Sequence, residues 1–433
     1  MYRGLRTNLP RELMAFREKP WGGDGISDSY VTHKAVNSYL QEYATDFDLK
    51  RHISFGCTVT QLTILDDEPN VPKSNGDDND DISCSKIALT WKDDSSSTST
   101  TKEFDAVLIC NGHYAAPFIP SLPGMNEHFH GQVLHSIQYD DPNVFTDKTV
   151  LCVGGRASGS DLAREISHVA KKVYLSDSTC SVWSEDDEKK GDEEDALGQN
   201  SAQRQCGNVV WVPKTEKVDE GSVMRFGGGC TIAPDDVDVI VFCSGYDYNF
   251  PFINEKSNLD FQCIPGERRV SPLYEQLWHA RHTNLAFIGL PHSVVPFPFF
   301  ELQAEAFAAQ LLGDTASLSD PLPSSVSERM SEALIDKEKG GPNGSRVQDT
   351  HFLGGHQWDY CRLMAKRGGA YDEEIENYIA TNKAIYDHAG SERKALFPGG
   401  PDTYRSTRYK RDNSNQSFEI LSSKVEEASA VSV

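Results

Sequence analysis

The stretch TVLCVGGRASGSDLAREISHVAKKVYLSD, residues 149–177, decides the fold. Residues 150–153 are a short apolar run of the kind buried in a parallel sheet. Gly154 and Gly155 follow, allowing a tight turn and close approach of the backbone to a ligand. Ser158, Gly159 and Ser160 open a helix on which Leu162, Ile166 and Val169 recur at helical spacing. VYLSD then reads as a second strand. This is the first unit of a dinucleotide-binding fold, with the free N–H groups and helix dipole at Ser158 and Gly159 turned toward a pyrophosphate. A glycine-rich turn alone is a weak signal; its place between a strand and an amphipathic helix gives it weight.

Two positions qualify the pattern. Arg156 stands where the middle glycine of G-x-G-x-x-G is usual, so the backbone meets a ligand differently and the guanidinium is itself a candidate phosphate contact. Asp177 is the carboxylate expected about twenty residues on, which binds a ribose 2′-hydroxyl and repels a 2′-phosphate, favouring NADH over NADPH. A turn-capping aspartate is an equal alternative there.

Composition bounds the rest. The chain has 433 residues, 38% hydrophobic and 10% aromatic, enough for roughly two or three domains with real cores. Acids outnumber bases 65 to 42, a net −23, which argues against nucleic acid or an anionic membrane as partner. The ten cysteines are scattered, with no C-x-x-C and no metal-ligand spacing, so a reducing compartment without disulfides or metal is expected. No signal peptide opens the chain and no run of 18 apolar residues suggests a membrane span. The expectation is a soluble, cytoplasmic protein; the oligomeric state has no signature.

Three acidic stretches, 66–81, 92–103 and 184–195, read as solvated surface loops, and the end from Asn413 as a frayed tail. Residues 34–49 place Val36, Tyr39, Leu40, Tyr43 and Phe47 on one helical face. Residues 104–112, 237–246 and 284–290 read as buried strands ending in turns, and 301–313 as a helix closed by Gly313. The fold class is therefore α/β with parallel sheets.

FHGQVLHSIQY, residues 129–139, fits F-x-G-x-x-x-H-x-x-x-[FY] through Phe129, Gly131, His135 and Tyr139, and so resembles the signature of the flavin-containing monooxygenases. LRTNLPRELMAF (5–16), CNGHYAAPFIPSLPG (110–124), FCSGY (242–246) and FIGLPHSVVPFPFFELQAEAF (287–307) are similar to further family segments, in the family's order. The resemblance implies two Rossmann-like domains, a NADP-binding domain inserted in a discontinuous FAD domain. Residues 1–143 would be the first part of the FAD domain, 144–284 the NADP domain, 285–412 the second part and 413–433 a flexible tail. The family's own N-terminal G-x-G-x-x-G has no counterpart before residue 149, so the FAD domain is expected to lack its first βαβ unit.

The resemblance further implies FAD and NADPH as cofactors, with NADH admitted by Asp177. It implies O₂ and a small nucleophilic amine or thioether as substrates, one oxygen atom passing to nitrogen or sulfur as in an N,N-dimethylaniline-type monooxygenase. Asn8 aligns with the asparagine beside the flavin ring; read from the residues alone, it would cap the helix begun by Pro10. Asn111, Gly112, Glu301 and Gln303 are expected near the flavin, the last two at the start of the returning helix. His135 is expected to be structural. Flavin disulfide reductases share the architecture but need a redox cysteine pair, which is absent. The remaining alternative is a family member that binds nicotinamide nucleotide but not FAD.

Overall fold

The computed structural model describes residues 2–21, 28–65, 85–96, 98–180, 205–232, 237–313, 318, 320–339, 346–412 and 417–421, the side chains of 335–339 excepted. Thr149–Val153 lies inside a six-stranded sheet ordered Gln132–His135, Val239–Phe242, Thr149–Val153, Lys172–Ser176, Val209–Val212, Gln205–Cys206. The first five strands run parallel and the last is antiparallel. Both faces are covered. Val150, Cys152, Val239 and Val241 pack with Leu162, Ala163 and Ile166 of the helix Ala157–Ser167. Leu151, Ile240 and Phe242 meet Val218, Met224 and Phe226 on the opposite side. Burial on both faces makes such strands read as unbroken apolar runs, which is why VLCV and VIVF are legible. Gln132–His135, expected ahead of the boundary at 143, belongs to this sheet.

A second sheet is ordered Leu273–Tyr274, Trp278–His279, Leu285–Phe287, Val107–Ile109. Leu285–Phe287 runs parallel to Val107–Ile109, so chain from both sides of the nucleotide unit closes into one body: one domain is inserted in another, discontinuous one. The return is under way by Leu273, ahead of the expected 285. Helices Pro296–Leu312, Gln357–Arg367 and Glu373–Lys394 cover this body through Phe299, Leu302, Trp358, Met364 and Ile379. Among the described residues no helix is long and apolar enough to cross a membrane, and no cluster of metal ligands occurs.

Several local expectations change. The helix read at 34–49 is His33–Asp46, capped by the Thr32 hydroxyl, which accepts from the Ala35 N–H. Of its apolar face only Tyr39 is buried; Leu40 and Phe47 are 39% and 40% exposed. The Tyr39 ring stacks on Trp21 while its hydroxyl donates to Lys19 O at 2.6 Å, and Tyr43 packs on Phe16 with ring centroids 4.5 Å apart.

The acidic stretch 92–103 is not a loop. Ile87–Asp93 pairs antiparallel with Ser99–Phe104 around a turn in which Asp93 Oδ1 accepts from the Ser95 and Ser96 N–H groups. Its threonines favour extended backbone, but full exposure on both faces removes the alternation that marks a strand. The other two acidic stretches, 66–81 and 184–195, lie outside the described residues. In the expected tail, Ser417–Leu421 pairs antiparallel with Arg408–Asp412; 413–416 and 422–433 are outside the description.

The helix read at 301–313 begins at Pro296, more than a turn ahead of Glu301. Proline in a first turn forfeits no helical hydrogen bond, so PFPFF starts the helix rather than preceding it. Gly313 does close it, its N–H donating to Ala309 O at 2.8 Å.

Candidate functional site

The strands that follow the glycine turn go one way across the sheet and then the other: Lys172–Ser176 lies on one flank of Thr149–Val153 and Val239–Phe242 on the other. Such a switch point opens a crevice at the carboxyl ends of the strands. Each glycine there has a steric reason. Gly154 has φ 109°, and a Cβ on it would stand 2.7 Å from Cys243 O. A Cβ on Gly155 would meet Asp177 Oδ2 at 2.4 Å, and one on Gly159 would meet Gly154 O at 1.7 Å. Arg156 has φ −69° and ψ −169°, an extended conformation open to any residue, so the missing middle glycine costs no strain.

No side chain caps the helix Ala157–Ser167, and Arg156, Ala157 and Ser158 are exposed. Its first N–H groups are thus open to an anion. The Ser160 hydroxyl donates to Gly155 O at 2.8 Å and fixes the turn rather than facing the crevice.

Asp177 closes its own turn: Oδ1 accepts from the Thr179 N–H at 3.2 Å and Oδ2 from the Thr179 hydroxyl at 2.8 Å. The capping alternative therefore holds, with lone pairs left over for a ribose. Asp177→Asn keeps an acceptor for the turn and removes the charge. The ratio of NADPH to NADH affinity is expected to rise about tenfold, read by fluorescence titration with each nucleotide. An unchanged ratio would put Asp177 outside the ribose site.

The contacts of the motif at 129–139 lie within the body of the six-stranded sheet. Phe129 is buried in the core behind the sheet. A Cβ on Gly131 would stand 2.4 Å from Asp238 O, so only glycine lets the segment lie against the neighbouring strand. His135 is buried; its Nδ1 accepts from the Ile137 N–H, leaving Nε2–H to donate to Gly245 O at 2.9 Å. Burial lowers its pKa, opposed by the Gly245 carbonyl: a neutral imidazole holding two backbone groups. The Tyr139 hydroxyl donates to Glu165 Oε2 at 2.9 Å, on the glycine-turn helix.

Asn8 caps nothing. The short 3-10 turn Arg11–Leu13 has Pro10 at its N-cap and no side-chain cap bond. The Asn8 carboxamide is half-buried and makes no hydrogen bond within the described residues. Its neighbour Thr7 is anchored, N–H to Val31 O at 2.8 Å and carbonyl accepting from Arg405 Nε at 3.0 Å. Arg405 reaches on to Asp161 Oδ2 at 2.9 Å, on the glycine-turn helix. One buried guanidinium therefore ties the Asn8 segment to the nucleotide unit. Neither Arg405 nor Asp161 is legible as a site residue in the sequence, since their contact spans 244 positions and leaves no local pattern.

Glu301 and Gln303 are committed elsewhere. Glu301 pairs with Arg17 Nε at 2.9 Å; burial pushes its carboxyl up and Arg17 opposes the rise. Gln303 is fully buried, accepting from the Gly289 N–H and donating to the Tyr360 hydroxyl, both at 3.0 Å. Both lie past the helix's first turn, contrary to expectation. Asn111 donates to Asn249 O at 3.2 Å, and Gly112 has φ 70° with open space where a Cβ would go. Both border a cavity of about 500 Å³ along Val107–Ile109, the last strand of its sheet.

The comparisons with known proteins agree with this architecture. The Flavin-binding monooxygenase-like family matches residues 1–197 and 186–364. Flavin-containing monooxygenase FMO GS-OX5 of Arabidopsis thaliana is 31% identical over 89% of this chain and 75% of its own length. FMO GS-OX-like 4 of the same plant is 30% identical over 94% and 80%. The solved S-allyl-L-cysteine S-oxygenase of Allium sativum superposes with TM-score 0.73 at 27% identity, over 99% of this chain and 84% of that one. The chain belongs to the flavin-binding monooxygenase-like family, whose members are flavin monooxygenases of two dinucleotide-binding domains.

The residues fit the two cofactors unequally. For a nicotinamide nucleotide the strand, glycine turn and uncapped helix are all present. For a flavin dinucleotide the described residues offer Asn111, Gly112 and the cavity beside them, but Val107–Ile109 ends its sheet and no second strand–glycine turn–helix unit flanks it. The flavin's phosphates do not find a cradle among the described residues.

Proposed function

We propose that this chain is a NADPH- and O₂-dependent flavin monooxygenase that places one oxygen atom on a nucleophilic sulfur or nitrogen of a small molecule, with a thioether sulfur the preferred acceptor. The sulfur preference follows the Allium protein, an S-oxygenase by name. The observation that carries the reading is the uncommitted Asn8 carboxamide, tied through Thr7 and Arg405 to the glycine-turn helix. An amide offers a donor and an acceptor on one plane and does not titrate, so it can orient a nicotinamide cofactor and an oxygen-bearing group together. FAD is the flavin proposed, and Asn111 and Gly112 border its space.

The alternative is nicotinamide binding without flavin. Absorbance of the purified protein separates the two: a flavin spectrum, or turnover of a simple thioether with NADPH once FAD is added, supports the first reading. A colourless protein that binds NADPH and stays inactive with added FAD supports the second. For the first reading, Asn8→Ala is expected to lower sulfoxide formation at least about tenfold, and by more than it weakens NADPH binding, since a lost hydrogen bond to a polar group costs on the order of 1–3 kcal/mol. NADPH oxidation is expected to divert to hydrogen peroxide. An unchanged sulfoxide-to-peroxide ratio would remove Asn8 from the reaction.

A further inference from the structure

Two guanidiniums stand over the carboxyl ends of the central strands. Arg156 leaves the glycine turn exposed and stacks on the Phe352 ring, 5.1 Å from its centroid. Arg268 donates to Ser244 O, stacks on Phe118 at 4.2 Å, and has Nη2 3.6 Å from where a Cβ on Gly245 would be. Ser244 and Gly245 continue the strand Val239–Phe242, whose end abuts Gly154. Arg269 and Arg346 close by have their own carboxylates, Glu267 and Asp349; among the described residues Arg156 and Arg268 have none within ion-pair distance. The Arg268 Nε is buried without a hydrogen-bond partner.

Three further features single Arg268 out. Its backbone has φ 50°, a left-handed conformation that costs a non-glycine residue energy and collects at functional sites. Burial, and then the nearby Arg156 and Arg346, hold its pKa below the ordinary value against the pull of Asp247. In a chain of net −23, two guanidiniums with no carboxylate within ion-pair distance among the described residues mark a place prepared for an anion.

We propose that Arg268, with Arg156, grips the pyrophosphate of the nicotinamide nucleotide from the nicotinamide side. The side follows from strand order. The residue ending the second strand, Asp177, stands on the adenosine-ribose flank of such a site. Arg268 stands on the opposite flank, at the end of Val239–Phe242, and the bridging phosphates lie between. A guanidinium fork matches two phosphate oxygens at once, and this supplies the contact that Arg156 in place of the middle glycine calls for. The inference rests on the nucleotide-binding reading of the glycine turn.

The test is titration of the purified chain with NADPH, NADH, ADP-ribose and 2′,5′-ADP, for the wild type, Arg268→Gln and Arg268→Lys. Arg268→Gln is expected to weaken NADPH, NADH and ADP-ribose in parallel, by about 10- to 100-fold. It is expected to leave 2′,5′-ADP, which lacks the nicotinamide-side phosphate, within about threefold. An equal loss for 2′,5′-ADP, or none for ADP-ribose, overturns the proposal. Should Arg268→Gln fail to fold, Arg268→Lys decides, since it keeps the charge and a long stem but loses the fork. About three- to tenfold weaker ADP-ribose binding with 2′,5′-ADP unchanged supports the proposal, and wild-type affinity for ADP-ribose overturns it. A wild type that binds neither NADPH nor ADP-ribose would overturn the nucleotide reading as well, whereas failure of the variants alone leaves that reading standing.

Discussion

Gly159→Ala is expected to abolish nucleotide binding, with NADPH affinity falling at least about 100-fold. The added Cβ would lie 1.7 Å from Gly154 O and 2.8 Å from Gly154 C. Both are backbone atoms of the turn itself, so no side chain can rotate aside. Either the helix Ala157–Ser167 lifts from the turn or the turn opens. Each displaces the first N–H groups of the helix by on the order of an ångström, enough to take a hydrogen bond out of its working range. The same overpacking destabilises the nucleotide unit by about 1–3 kcal/mol. Titration with NADPH and a thermal melt read the two effects separately. An alanine variant binding NADPH within about threefold of wild type would mean that the glycine turn is not the phosphate site.

Arg405→Ala is expected to cost about 3–5 kcal/mol of stability, because it leaves a buried carboxylate short of its partner. The Arg405 side chain is 3% exposed and Asp161 12%. Its three nitrogens bond Thr7 O at 3.0 Å, Asp402 Oδ2 at 2.9 Å and Asp161 Oδ2 at 2.9 Å. Arg164 also reaches Asp161, at Oδ1, 2.8 Å, and keeps part of the charge compensated. Removing Arg405 also unties the Asn8 segment from the glycine-turn helix, so any oxygenation should fall further than NADPH affinity does. The melting midpoint should drop by roughly 5 °C or more. The double change Asp161→Asn with Arg405→Met should recover part of the loss, since removing both charges together avoids the unpaired ion. A single variant as stable as the wild type would show that the ion pair contributes nothing net.

These two residues also mark where sequence reading succeeds and stops. Gly159 is legible because its reason is local: strand, turn and helix are adjacent in the chain, and their periodicities announce them. The same holds for Gly154, Gly155 and the apolar strands at 150–153 and 239–242. Arg405 is illegible because two of its three partners, Thr7 and Asp161, are far away in the chain. The start of the returning helix is only partly legible. Pro296 and Pro298 look like breakers until the first-turn position excuses them, and so the sequence places Glu301 and Gln303 nearer a helix end than the structure does. The strand Ser99–Phe104 is illegible because both of its faces meet solvent, leaving no alternation.

The sequence by itself determined the parallel α/β class, the nucleotide turn and the order of motifs that place the chain in its family, because each is written in residues a few positions apart. The tertiary structure alone decided which side chains are free to meet a ligand. The Asn8 carboxamide and the Arg268 Nε have no hydrogen-bond partner among the described residues, while Glu301, Gln303, His135 and Ser160 are engaged in holding the fold. Whether a polar group is available depends on which distant groups reach it first, and no local pattern carries that information.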